Sequence, residues 1–267
     1  MSPAIVVPPM AASRRPRRYE AFIADSPATV RAAQALRYRV FAEQMGAQPP
    51  TMQAWPGLDW DEFDDYCDHL VVVDSASGAV VGTTRLLNDR QALKLGRFHC
   101  ESQFHIDRVL GLAGRFLEVG RACVDGEAHG GAVIASLWQE LAAYAMQGGY
   151  GHLMGCAGIP LAPGGFAVEA IYRRLEQDRI GPSYLAVQPK HPVPPQLRSQ
   201  RDEPGIPPWL KACLRRGAWV CGEPSWHAAF NAMELFVLLP MTRLQSRHAG
   251  RFMAADDAVY PPLAVAA

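Results

Sequence analysis

Residues 115–147, RFLEVGRACVDGEAHGGAVIASLWQELAAYAMQ, decide the fold. Arg115–Val124 (RFLEVGRACV) reads as a strand with two charged residues, Glu118 and Arg121, set among apolar ones. It feeds the pair Gly130-Gly131. Ile134, Leu137, Trp138, Leu141 and Tyr144 then recur at helical spacing, which predicts a helix from Ala132 to Gln147. Strand, glycine turn and helix in that order expose free N–H groups at the helix N-terminus, where the helix dipole also favours an anion such as a phosphate. Glycines at such joints also serve turning alone, so both readings stand for this unit taken by itself.

The flanking sequence builds outward from it. Upstream, Ser26 suits an N-cap and Pro27 the first helical position; Val30, Ala33, Leu36, Val40 and Phe41 then mark a helix that ends near Gly46. His69–Asp74 and Ala79–Leu87 read as a hairpin around DSASG. Downstream, His152–Ala157 reads as a strand, Phe166–Glu176 as a helix and Ser183–Val187 as a strand. Ala218–Cys221 and Met233–Leu239 read as returning strands. Between them, residues 189–224 carry eight prolines, and six bases against three acids, and read as a lid or long excursion. The pattern is α+β, an α/β/α sandwich on one sheet. A single domain over residues 19–255 is expected, with a disordered basic tail at 1–18 and a flexible C-terminus at 256–267.

Composition bounds the function. The chain has 267 residues, 49% of them apolar, with 26 basic and 26 acidic side chains. That excludes whole-chain disorder and a globally basic nucleic-acid binder. The zero sum conceals Arg14, Arg15, Arg17 and Arg18 in the tail and six acids within residues 59–68. Six cysteines occur without a CxxC pair, so neither a zinc knuckle nor a redox dithiol is suggested and no metal is expected. No run of about 18 apolar residues is present. The tail has its apolar part before its arginines, the reverse of a secretory signal, and the expectation is a cytoplasmic protein.

Four charged features follow in order: Arg37-Tyr38-x-Val40-Phe41, Asp61-x-x-Asp64, Gly82-x-x-Arg85 and Glu118-x-x-Arg121. Singly, each reads as a surface charge, a cap or a sheet-face ion pair. Glu118 and Arg121, three apart, face opposite sides of an ideal strand unless a bulge intervenes. Together they form a cluster that suits a small zwitterion, because arginine grips carboxylates in a fork and carboxylates hold ammonium groups.

With this order in view, the N-terminal half resembles the acyl-homoserine-lactone synthases. From about residue 19 the whole chain resembles the L-ornithine Nα-acyltransferases of ornithine-lipid synthesis more closely; both groups are GNAT proteins. The resemblance rests on RYRVF (37–41), DEFDDYCDHL (61–70), VGTTRLL (81–87), FLEVGRACV (116–124), VIASLWQEL (133–141) and GCAGIP (155–160). LKACLRRGAWVCGEPSW (210–226) and FNAMELFVLLPM (230–241) match the ornithine group alone. Two departures stand out: Ala128-His129 where that group has Tyr-Arg, and Glu234 where it has Asp.

The resemblance implies a GNAT-like acyltransferase fold, with a mixed central sheet and a C-terminal extension. It implies transfer of a 3-hydroxyacyl group from acyl carrier protein to L-ornithine, giving lyso-ornithine lipid. The co-substrate is the carrier's acyl-phosphopantetheine, and no cofactor is bound tightly. Glu118 is the expected base, with an ion pair to Arg85 or Arg121 as its other reading, and Arg121 is grouped with it as catalytic. Arg37, Asp61, Asp64 and Arg85 are the expected acceptor-binding residues, the aspartates taking the side-chain ammonium and Arg85 or Arg121 the carboxylate. His129, Gly130, Gly131 and Ala132 would hold the phosphopantetheine, and Phe236, Leu238, Leu239 or Trp138 would line the acyl groove. Arg198, Arg201, Lys211, Arg215 and Arg216, or Arg173-Arg174, would receive the acidic carrier. The basic tail would meet a membrane surface peripherally. The competing readings are a lactone-type synthase, acylation of another amino acid such as glycine, and a non-catalytic acyl-carrier or lipid binder.

Overall fold

The computed structural model describes residues 18–126, 130–175, 179–199 and 206–248, the last four of these by backbone only. In chain order the elements are β1 (Tyr19–Ile23), α1 (Pro27–Tyr38), a π-helical segment (Arg39–Gln44), α2 (Pro50–Ala54), β2 (Asp68–Asp74), β3 (Val80–Asn88), α3 (Asp89–Leu95), β4 (Phe104–His105), α4 (Asp107–Leu110) and β5 (Arg115–Val124). There follow α5 (Gly130–Gln147), β6 (Tyr150–Pro160), α6 (Val168–Arg174), β7 (Gln188–Pro189), α7 (Pro208–Arg215), β8 (Trp219–Val220), β9 (Ser225–His227), β10 (Ala232–Pro240) and α8 (Met241–His248).

One mixed sheet runs β1-β2-β3-β5-β6-β10-β8, with β9 also on β10. Among its described strands only β5 and β6 pair in parallel. Their register extends from Arg115↔Tyr150 only to Glu118↔Met154. Beyond that point β5 stays with β3 as far as Val124↔Gly82, and β6 stays with β10 as far as Pro160↔Ala232. The two central strands therefore part after Glu118 and leave a cleft.

Two local features produce the parting. The β3–β5 register slips between Thr83 and Arg85, and Arg121 sits at φ 51°, in the left-handed region, so β5 carries a bulge. Gly155 stands where β6 turns away; a Cβ there would lie 2.3 Å from the Val119 carbonyl oxygen. Only glycine admits that approach.

Both faces of the sheet are covered. On one, Val133, Leu137 and Leu141 of α5 pack with Leu70, Val72 and Leu117 in the larger core. Gly82 gives α5 its seat, since a Cβ there would meet Val133 Cγ1 at 2.5 Å. On the other face Phe63, Leu87, Phe98, Phe104, Met154 and Phe236 form a second core. α1 crosses this side as the sequence predicts, with Ser26 Oγ accepting the Thr29 N–H at 3.2 Å and Pro27 opening the helix.

Some expectations change. β1 and the short helices α2, α3, α4 and α7 lie where no regular element was read. Ser183–Val187 is not a strand: Pro182 starts a tight turn closed by the Leu185 N–H on the Pro182 carbonyl. Arg18, counted with the tail, pairs with Asp74 at 3.1 Å. The remaining tail residues, His129, Arg201 and residues 256–267 lie outside the described residues.

Candidate active site

The acidic segment after α2 is not solvated charge. It folds under the sheet, where three arginines from three elements reach into it. From α1, Arg37 is fully buried and donates to Asp59 Oδ2 at 3.0 Å and Asp64 Oδ1 at 2.6 Å. From β3, Arg85 donates to Asp61 Oδ1 and, at 2.7 Å, to Asp64 Oδ2. From the β5 bulge, Arg121 reaches Asp61 Oδ2 at 3.3 Å and Asp59 Oδ2 at 3.4 Å, with its guanidinium 4.2 Å over the Phe230 ring. Burial by itself would raise the Asp61 and Asp64 carboxyls. Arg85 and Arg121 beside Asp61, and Arg37 and Arg85 beside Asp64, outweigh it and hold both well below the usual carboxylate range.

The structure thus gathers Arg37, Asp61, Asp64, Arg85 and Arg121 as one cluster. Gln34 and the Asp61 N–H add to the donors on Asp64, and the Phe63 N–H adds to Asp61. Every oxygen of these two aspartates already accepts a protein donor, the loosest being Arg121 on Asp61 Oδ2 at 3.3 Å. Arg37 and Arg85 are likewise taken up. Arg121 holds its partners at the outer limit of an ion pair and stands at the cleft.

Glu118 needs the bulge to share a face with Arg121, and the bulge is present. The expected ion pair with Arg85 or Arg121 is replaced by backbone contacts: Glu118 Oε2 accepts the His99 N–H at 2.6 Å and Oε1 the Cys100 N–H at 2.7 Å. Burial pushes the Glu118 carboxyl up, against those hydrogen bonds.

Glu234 was noted in the sequence only as a departure. It is the single charge on β10 and is buried, with the His227 Nδ1–H donating to its Oε1 at 2.9 Å. The available signal was an acid inside the apolar run MELFVLL, since a lone buried charge must be matched by something.

On the α5 face, the cleft between the parted strands is apolar. Val119, Leu153, Ala157, Trp138 and Leu239 line it, and Trp209 of α7 closes it by stacking on Trp138 at 5.1 Å between ring centroids. Of the expected groove residues, Trp138 and Leu239 lie there; Phe236 and Leu238 belong to the opposite core. Gly130, Gly131 and Ala132 open α5, and its first turn holds no acid. Among the expected docking bases, Arg198 pairs with Glu169 and Glu223, Arg216 lies 4.4 Å over Trp138, and Lys211 is exposed. No helix of the described residues is long and apolar enough to cross a membrane.

Comparisons with known proteins fit this architecture. Residues 36–139 match the acetyltransferase (GNAT) domain family. An N-acyl amino acid synthase from uncultured soil microbes superposes with a TM-score of 0.51 at 14% identity, covering 86% of this chain and 96% of the other. A CoA-dependent acyl-homoserine lactone synthase gives 0.51 at 15% identity, covering 90% of each. With its splayed parallel pair and capping helix, the molecule is a GNAT-fold N-acyltransferase. The L-ornithine N(alpha)-acyltransferase of Rhizobium meliloti (strain 1021) is 31% identical over 254 residues, which is 87% of this chain and 86% of the relative. That of Brucella abortus (strain 2308) is 32% identical over 247 residues, 86% of each. The chain belongs to the L-ornithine Nα-acyltransferase family.

Proposed function

We propose that the protein transfers a 3-hydroxyacyl group from acyl carrier protein to the α-amino group of L-ornithine, giving lyso-ornithine lipid. The observation that carries this reading is the cleft between β5 and β6. It has a charged acceptor face with Glu118 and Arg121 and an apolar donor face under α5. An amine and a thioester approaching from the two faces meet where the strands part.

In this reading the Gly130–Ala132 N–H groups, with His129 beside them, receive the carrier's phosphate. The acyl chain lies against Trp138 and Leu239. A backbone N–H of the bulged stretch Val119–Cys123 supports the oxyanion; such a donor contributes roughly two to three orders of magnitude in rate. Arg121 clamps the ornithine carboxylate. Asp61, Asp64, Arg37 and Arg85 hold Arg121 and the loop in position. Glu118 accepts the amine proton through a water, its raised carboxyl suiting it to that work and each oxygen keeping a second lone pair. The nitrogen then attacks the carbonyl carbon, the C–N bond forms, and the C–S bond breaks to release the carrier thiol. The amphiphilic product leaves at a membrane surface, which the basic tail would approach.

The test is thiol release by the purified chain with 3-hydroxyacyl carrier protein and L-ornithine. Release with glycine or S-adenosylmethionine in place of ornithine overturns the acceptor, and release only with acyl-CoA overturns the donor. Glu118→Gln is expected to lower kcat by about 10²–10⁴-fold, and an unchanged kcat removes Glu118 as the base.

A further inference from the structure

Asp61 and Asp64 each pair with two arginines already. Among the described residues Glu234 pairs only with a histidine and offers the side-chain ammonium of the proposed acceptor a more available counter-ion. Its Oε2 is buried and receives no N–H or O–H donor, while Oε1 is held by His227 and the Cys156 thiol is a weak donor to the carboxylate. A carboxylate oxygen in that state is unfavourable until a donor reaches it.

The space beside it is built by sequence. Gly158 is the direct cross-strand partner of Glu234, so a side chain there would point to the same face. It is exposed although it lies within β6, and a Cβ added to it would meet nothing nearer than the Ala232 Cβ at 4.0 Å. The sheet surface beside the carboxylate is therefore left free of side chains.

The titratable groups around Glu234 are His227 from β9, His99 from the turn after α3, Arg121 from β5 and Cys156 from β6. Burial, then Arg121 and Arg85, push His99 down to about 3, so it is neutral. At Cys156, burial and the charge of Glu234 outweigh the bond to Cys100 and push the thiol up to about 12. Arg121 also contacts Asp61 and Asp59, at 3.3 and 3.4 Å. Burial works to raise Glu234 itself, but the bond from His227 and the nearby Arg121 hold its carboxyl below the ordinary value. It stays ionised, as a counter-ion must.

We propose that Glu234, fixed by His227 and facing the space left by Gly158, binds the side-chain ammonium of a diamino-acid acceptor and so selects it over monoamino acids. The reach is suitable. Glu234 stands opposite Gly158, three residues along β6 from the parting point at Gly155, so the two backbone positions are ~11 Å apart and the glutamate side chain covers roughly half of that. Three methylenes span the remainder between an ammonium on Glu234 and an amine at the thioester. The inference deepens the proposed acceptor and rests on it.

The experiment measures kcat and KM with 3-hydroxyacyl carrier protein for L-ornithine and for L-norvaline, which has the same carbon chain without the terminal nitrogen. The wild type is expected to favour ornithine by 100-fold or more in kcat/KM. Glu234→Gln is expected to raise the ornithine KM tenfold or more and leave the norvaline KM within threefold. Gly158→Ala fills the adjacent space without a backbone clash and is expected to act in the same direction; it decides the matter if Glu234→Gln does not fold. An unchanged ornithine-to-norvaline ratio in the folded variants overturns the inference alone. A wild type that acylates other amines but not ornithine overturns the proposed acceptor, and this inference with it.

Discussion

Each arginine drawn under the sheet neutralises a carboxylate that burial alone would leave protonated. The pairs are interlocked, so no member can be removed without stranding another. Replacing Asp64 by Ala leaves Arg37 and Arg85 with one partner fewer inside the protein. Breaking a buried pair in this way costs about 3–5 kcal/mol. We expect a loss of that size in urea denaturation of Asp64→Ala; a loss under about 1 kcal/mol would show that water replaces the carboxylate. Arg37, Asp61, Asp64, Arg85 and Arg121 were legible in the sequence as charged features in a fixed order, whereas Asp59 was not singled out. The cluster's pairing was not legible. Arg37 and Asp59 meet across a chain reversal, and nothing local tells a counter-ion for an arginine from one for a substrate. Glu118 illustrates the same limit: its partners are two backbone N–H groups of a distant turn, which carry no side-chain signature.

The strand–glycine–helix unit at 115–147 was readable because it is long enough for its period to show. The elements that escaped were short. α2, α4 and β7 have five, four and two residues, too few to repeat a pattern. The bulge in β5 could be named from the sequence only as a condition for Glu118 and Arg121 to share a face, because Arg121 in a left-handed conformation contradicts its own residue type. Gly155 and Gly158 differ in role although they lie three residues apart in β6. An added methyl at Gly155 runs into the Val119 carbonyl at the apex of the cleft, while one at Gly158 meets open space. Gly155→Ala should therefore cost about 1–3 kcal/mol, as overpacking does, and Gly158→Ala should leave the melting temperature nearly unchanged. Equal melting temperatures for the two variants would place the apex elsewhere.

At the scale of the whole molecule, the balance of 26 bases against 26 acids is settled partly in the interior. Of the six acids in residues 59–68, Asp59 and Asp64 are fully enclosed and Asp61 nearly so, each with its arginine. Glu62 and Asp65 stay exposed, so the loop's negative charge is reduced by about half. Global stability should depend on pH first through two histidines held below their ordinary value, His99 and the buried His69. His99 has a folded value of about 3 against its ordinary 6.5, so the unfolded chain takes the proton preferentially as the pH falls. The stability it contributes is complete above pH 6.5 and is lost progressively toward pH 3. Asp61 and Asp64, held below the usual carboxylate range, add their own loss only at lower pH. Melting temperature should fall between pH 6.5 and 4 in the wild type and fall less steeply in His99→Gln; parallel curves would refute the assignment.

The parting of β5 and β6 also has a mechanical meaning. The sheet consists of two leaves, β1-β2-β3-β5 and β6-β10-β8, joined by the short ladder between Arg115–Glu118 and Tyr150–Met154. That ladder is the closed end of a lever. A small rotation there moves the far ends, Val124 and Pro160, the most, and no strand-to-strand hydrogen bond beyond Glu118 has to break for it to occur. Widening the aperture is thus a soft motion and lengthening it is a stiff one, so the molecule can yield to a bulky acyl group sideways while the depth at which chemistry occurs stays fixed.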